Sequence, residues 1–184
     1  MKTKALILAL FMALSLTARA TNLVVNGSFE TGDFSNWLQG GNFSFMSVNS
    51  GGAQDGTYYV DFGPIGSEAL LSQALATNVA SYDISWWLQG NGTGFSDLSI
   101  YWNGNSVSYT APVPNQGWTN YSVSVTGTGS DTLAIGFRND PSFDQFDNIS
   151  VTQGASVPDG GTTAALLGSA LLGLVALRRK FSRA

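Results

Sequence analysis

Along the middle of the chain, apolar and polar side chains alternate with a period of two. Tyr82, Ile84, Trp86 and Leu88 interleave with Asp83, Ser85, Trp87 and Gln89. Leu98, Ile100 and Trp102 interleave with Asp97, Ser99, Tyr101 and Asn103. The same rhythm returns in Tyr121, Val123 and Val125 and in Leu133, Ile135 and Phe137. Successive side chains of a strand point to opposite faces, so this pattern predicts strands with one buried and one wet face. Clusters of Gly, Asn and Ser separate these runs at Gly90–Gly94, Asn103–Asn105 and Gly127–Ser130. Asn103-Gly104 is the dipeptide of a tight hairpin. Shorter strands are predicted at Leu23–Val25, Phe43–Val48, Tyr58–Phe62, Ala69–Leu75 and Ile149–Val151. Many short strands without helical periodicity predict an all-β fold, an antiparallel β-sandwich of the jelly-roll kind, over residues 21–153.

The two ends break this rhythm. Lys2 and Lys4, an apolar run from Ala5 to Leu16, and the small-residue site Ala18-Arg19-Ala20 read as a secretory signal over residues 1–20. Signal peptidase is then a partner, and an uncleaved anchor is the other reading. Residues 154–161 form a linker that ends in Val157-Pro158-Asp159-Gly160-Gly161. The segment Thr162 to Leu177 has no charge. As a helix it spans about 24 Å at 1.5 Å per residue, slightly short of a bilayer core, a mismatch that thinning and snorkelling arginines absorb. Residues 178–184 carry Arg178, Arg179, Lys180 and Arg183 and should remain cytoplasmic. A single transmembrane helix over 162–177 accounts for this order better than a core helix, because it lacks a polar face.

Composition narrows the chemistry. The 184 residues include no cysteine and no histidine. Disulfides, thiolate metal sites, Ser-His-Asp hydrolysis and Cys-His catalysis are thereby excluded. From Thr21 to Gln153, Arg138 is the one cation among eleven acids, a formal charge near −10. Such a surface repels phosphate backbones, so no nucleic-acid partner is expected.

The ending, from Val157 to Arg183, resembles the PEP-CTERM class of sorting signals in a Val-Pro-Asp-Gly-Gly variant. The resemblance implies that an exosortase-type protease reads Val157, Pro158, Asp159, Gly160 and Gly161 as a processing site. Pro158-Asp159-Gly160 replaces the usual Pro-Glu-Pro core. It further implies export, transient anchoring through the C-terminal helix, and delivery to the cell envelope or beyond.

Two landmarks bracket the middle: Asn22 to Glu30 leading to Trp37, and Phe146-Asp147-Asn148-Ile149-Ser150-Val151. Together they resemble the opening and closing strands of galactose-binding-like jelly rolls, which include many carbohydrate-binding modules. In several of those modules matching acids hold a structural calcium ion. The resemblance therefore implies Glu30 and Asp147, with Asp33 nearby, as calcium ligands. Calcium takes six to eight oxygens, which carboxylates and loop carbonyls supply. The other reading is that these acids accept backbone N–H bonds in turns.

Two further constellations bear on function. If the strands carrying Trp87 and Tyr101 pair, both rings share a wet face with Asp83, Gln89 and Asn103. Flat rings beside amides and acids suit a polysaccharide. The other reading packs both aromatics under a loop or second sheet. For catalysis only carboxylate pairs remain, with Asp140, Asp144 and Asp147 as candidates. No residue is assigned as catalytic, because no acid in an apolar pocket faces a second, ionised acid. The sequence thus predicts a non-enzymatic, envelope-sorted surface or matrix protein that binds exopolysaccharide. Its rivals are a glycan-active enzyme and a permanently anchored protein without glycan affinity.

Overall fold

The structure is a computed structural model that describes residues 21–154. The signal segment, the residues Val157 to Gly161, the span over 162–177 and the basic tail lie outside the described residues. Ten strands follow in order: β1 Leu38–Gly41, β2 Met46–Ser50, β3 Tyr58–Phe62, β4 Ala69–Ala76, β5 Ser81–Gly90, β6 Phe95–Trp102, β7 Asn105–Thr110, β8 Gln116–Thr126, β9 Ser130–Asp140 and β10 Asp144–Gln153. They form two antiparallel five-stranded sheets. The first has the order β2-β3-β10-β5-β8 and the second β1-β4-β9-β6-β7. This is the all-β antiparallel sandwich that the alternation predicts.

The inward residues of both sheets make one core. Ile84, Trp86 and Leu88 of β5 face Leu98 and Ile100 of β6 and Leu133, Ile135 and Phe137 of β9, all essentially inaccessible. Phe137 of the second sheet meets Phe62 and Phe146 of the first, with ring centroids 5.1 and 5.2 Å away. Fully burying each such side chain contributes about 1.5–3 kcal/mol. A one-residue slip of any central strand would send its whole apolar row into water, so the pattern fixes the register.

Leu23–Val25 is not a strand. Asn22 makes a single bridge with Thr152, and Leu23 N–H donates to the Val151 carbonyl at 2.9 Å. Beyond that point side chains replace the ladder. Gln73 exchanges two bonds with the Val25 backbone, at 2.6 and 3.1 Å, and Asn26 then turns to a φ of 54°. The two sequence landmarks do meet. Phe29, fully buried, stacks on Trp37 at 5.9 Å and touches Phe146 edge-on at 6.3 Å. A Cβ on Gly27 would stand 2.1 Å from the Ile149 carbonyl oxygen, so only glycine allows this approach.

Candidate functional site

The outer face of the first sheet carries the polar residues of β5 and β10. Across it, Gln89 pairs with Gln145, and Trp87 lies between Asp147 of β10 and Asn120 of β8. The loop between β2 and β3 is fastened onto this face. Asp147 accepts the N–H groups of Gln54 at 2.9 Å, Asp55 at 3.0 Å and Asn148 at 2.6 Å. Glu30 accepts those of Thr57 and Tyr58, both at 2.8 Å. The indole of Trp118 donates to the Gly52 carbonyl at 2.9 Å and meets Tyr59 edge-on. Burial pushes the Asp147 carboxyl up to about 6, against the pull of its amide donors.

Trp87 and Tyr101 do not share a platform. Trp87, Asp83 and Gln89 belong to β5 of the first sheet, whereas Tyr101 belongs to β6 of the second. β5 and β6 bury their apolar rows against each other across the core, so their polar rows face opposite sides of the sandwich. Gly90–Gly94 is therefore an arch between sheets and not a hairpin. Tyr101 gives its hydroxyl to Glu68 at 3.1 Å. Asn103 donates to Asp131 at 2.6 Å and accepts the Thr132 N–H at 2.8 Å, tying the β6–β7 turn to β9. Asp83 accepts the Ser124 hydroxyl at 2.6 Å.

Gln89 instead opens onto a cavity of about 390 Å³. The cavity is lined by Gln89, Gly90, Asn91, Asn115, Gln116, Gly117, Phe143 and Gln145. Three loops build it. Asn91, after β5, donates its side-chain amide to Ser142 Oγ at 2.5 Å and to the Phe143 carbonyl at 2.7 Å. Its backbone N–H donates to Asp144 Oδ1 at 2.9 Å. These bonds fix the β9–β10 loop. From the β7–β8 side, Gln116 donates to the Tyr121 hydroxyl at 2.9 Å. The side-chain amides of Gln89, Asn115 and Gln145 bond to no described residue. Each amide is both donor and acceptor, as a sugar hydroxyl is. Among the described residues no ionisable group lines the cavity. Arg138 stands elsewhere, 4.0 Å from Asp140 and 4.5 Å over the Phe95 ring.

The carboxylate candidates for catalysis do not converge. Asp144 points into the sandwich and Asp147 out of it, because they occupy alternate faces of β10. Burial raises the Asp144 carboxyl, against the hydrogen bond from Asn91. Asp140 pairs with Arg138. A different acidic pair, unremarked in the sequence, lies on the outer face of the second sheet. There Asp97, 5% exposed, is pushed up to about 6 by burial and by the Glu68 carboxylate, while Arg138 pulls it down. Ser99 and Tyr101 both hydrogen-bond Glu68, so the pair is bound into the sheet.

The chemistry of the proposed calcium ligands bears on the fit of an ion. Both Asp147 oxygens face amide hydrogens, whereas Glu30 takes its two amide hydrogens on Oε1 alone and leaves Oε2 without a donor among the described residues. Asp33 accepts the Ser35 N–H at 2.9 Å and the Thr31 hydroxyl at 2.8 Å, which holds its carboxyl below the usual range. Among the described residues no three acidic side chains gather at metal-holding spacing. As folded, these three acids accept N–H and hydroxyl donors of the chain itself.

The sequence missed Asn91, Asn115, Gln116, Phe143 and Gln145. Their only signal is the amides set among glycine and proline in Gly90-Asn91-Gly92 and Pro114-Asn115-Gln116-Gly117.

None of the curated proteins compared matches the chain. Among solved structures, TmCBM61 in complex with β-1,4-galactotriose is similar with a TM-score of 0.61 at 19% identity, over 73% of this chain and 100% of that one. The CBM22-1 xylan-binding domain of Paenibacillus barcinonensis Xyn10C gives 0.53 at 17%, over 75% and 97%. The K3 cleaved adhesin domain of Lys-gingipain from Porphyromonas gingivalis gives 0.58 at 13%, over 74% and 100%. Residues 156–181 match the VPDSG-CTERM motif. The chain therefore carries a PEP-CTERM-like sorting signal behind a β-sandwich that shares its fold with carbohydrate-binding modules.

Proposed function

We propose that this is a non-catalytic, exported surface protein whose sandwich binds a neutral glycan in the cavity beside Gln89 and Gln145. The observation that carries the reading is the lining itself: side-chain amides and a phenyl ring, with no ionisable group. Amides satisfy hydroxyls in either direction, and the ring covers an apolar sugar face. A uronate or sulfated sugar would need a cation, and Arg138 is committed to Asp140 and Phe95. The divergence of Asp144 and Asp147 supports binding over hydrolysis. The fold shared with a protein solved with β-1,4-galactotriose and with a xylan-binding domain supports a polysaccharide ligand. The sorting motif supports delivery to the envelope through an exosortase-type protease after signal peptidase, with membrane anchoring by the C-terminal span.

The test is affinity electrophoresis of the exported protein through soluble β-1,4-galactan, xylan, an uncharged α-glucan and polygalacturonate. The expected result is retardation by a neutral polymer and none by polygalacturonate. Gln89→Ala and Gln145→Ala should each weaken binding about tenfold, the equivalent of about 1.4 kcal/mol. Migration unaffected by every neutral polymer would overturn the reading.

A further inference from the structure

Beside the cavity stand two phenyl rings that the core does not use. Phe143 lines the cavity and is 46% exposed, and Phe45, between β1 and β2, is 57% exposed. Their ring centroids lie 6.5 Å apart, edge to face. Phe45 holds a φ of 62°, a left-handed conformation that a bulky residue rarely adopts. Phe29 shares that conformation, at 55°, but its ring is fully buried among other aromatics. Burial repays the strain at Phe29. At Phe45 the strained backbone instead presents a ring to water.

Both rings are held in place. The Phe45 carbonyl accepts the Gly63 N–H at 2.9 Å. A Cβ on Gly63 would approach the Phe143 ring to 2.8 Å, so glycine there makes room for that ring. The Phe143 carbonyl is fixed by Asn91. The result is a pre-arranged apolar ledge that continues from a neutral amide cavity.

We propose that Phe45 and Phe143 form a second subsite, on which the next unit of the same neutral glycan chain rests. This rests on the reading of the cavity given above. The continuity through Phe143 argues for one ligand across both, because a pyranose combines hydroxyl edges with an apolar face. The ledge thus selects a chain over a single sugar.

The test is titration calorimetry on the exported full chain. The probes are the mono-, tri- and hexasaccharides of β-1,4-galactan, xylan and an uncharged α-glucan. Phe45→Ala should weaken hexasaccharide binding at least tenfold and monosaccharide binding less than twofold, whereas Gln145→Ala should weaken both. Phe45→Gly relieves the backbone, so it should raise the melting temperature by about 2–4 °C while losing hexasaccharide affinity in the same way. Hexasaccharide binding that survives Phe45→Ala within twofold, yet fails in Gln145→Ala, would overturn the ledge alone. Failure of the unsubstituted chain to bind any probe would remove the cavity reading and the ledge with it. A concentration-dependent dimer lost in Phe45→Gly, with sugar binding unchanged, would assign the rings to a second copy and overturn the subsite.

Discussion

Asp147 and Gln145 sit two residues apart on the same strand and face the same side of the same sheet, yet their surroundings are opposed. The Asp147 oxygens are taken by three amide hydrogens of the chain itself. Gln145 opens onto a cavity whose lining is neutral. The first arrangement spends its polarity on holding a loop. The second keeps its hydrogen-bonding capacity unspent. Buried polar groups that are satisfied internally support the fold, and unspent ones around a concavity can recognise something else. The recognisable motif thus carries the carboxylate that the fold engages, and the plain amide beside it is the one left open.

The largest effect that sharpens this contrast is on stability. Asp147→Ala removes the acceptor of three N–H groups and should cost about 3 kcal/mol in urea unfolding. Glycan affinity of the folded variant should stay within twofold of the parent. Gln145→Ala should behave in reverse, with stability unchanged within about 0.5 kcal/mol and binding weakened. If Asp147→Ala abolished binding in a protein that still folds, the contrast would collapse.

The next effect is a pH dependence on the opposite sheet. Burial and the Glu68 carboxylate push the folded Asp97 carboxyl up to about 6, above its ordinary 3.8. Between these values the folded state holds a proton that the unfolded state has released. Its contribution is therefore complete below pH 3.8 and lost as the pH rises through 6. Against an Asp97→Asn variant, the parent should lose about 3 kcal/mol between pH 4 and pH 7. Parallel stability curves for the two proteins would show that Glu68 and burial leave Asp97 unperturbed. Asp131 works with the opposite sign. Burial would raise it, but hydrogen bonds from Thr77, Asn103 and Thr128 hold it well below the carboxylate range, so its contribution is lost only as the pH falls below the ordinary value.

The smallest effect is that of Tyr101→Phe, which deletes one hydroxyl bond to Glu68 and should cost about 1 kcal/mol. It should leave sugar affinity untouched, because Tyr101 lies on the other sheet. A loss of binding in this variant would bring the two outer faces back into one site.

Periodicity was enough to identify β4, β5, β6 and β9 inside the sheets and β8 at an edge, because their apolar alternate positions face one core, whereas of the central β10 it showed only Ile149–Val151. The edge strands β1 and β7 left no such trace. Leu38-Gln39-Gly40-Gly41 and Asn105 to Thr110 bury little, so nothing selects for alternation. Glu30 and Asp147 were recognisable as a pair from their motifs, and the fold brings both onto the β2–β3 loop. Which strands lie side by side was not legible, since pairing joins residues far apart in sequence. That gap separated Trp87 from Tyr101 and hid the cavity, whose lining comes from three loops that look like ordinary turns.

The bridge between Asn22 and Thr152 has a mechanical consequence. It ties the entry and exit of the sandwich together at the far pole of β10, whose ten residues stretch roughly 33 Å at about 3.3 Å each. Gln145 lies at the near pole. A pull on residue 22 or residue 154 is first met by this bridge, the Leu23–Val151 bond and the Gly154–Ser81 bond, at the end of β10 away from Gln145. The cavity beside Gln145 and the point where the chain enters and leaves the sandwich are thus kept one strand length apart.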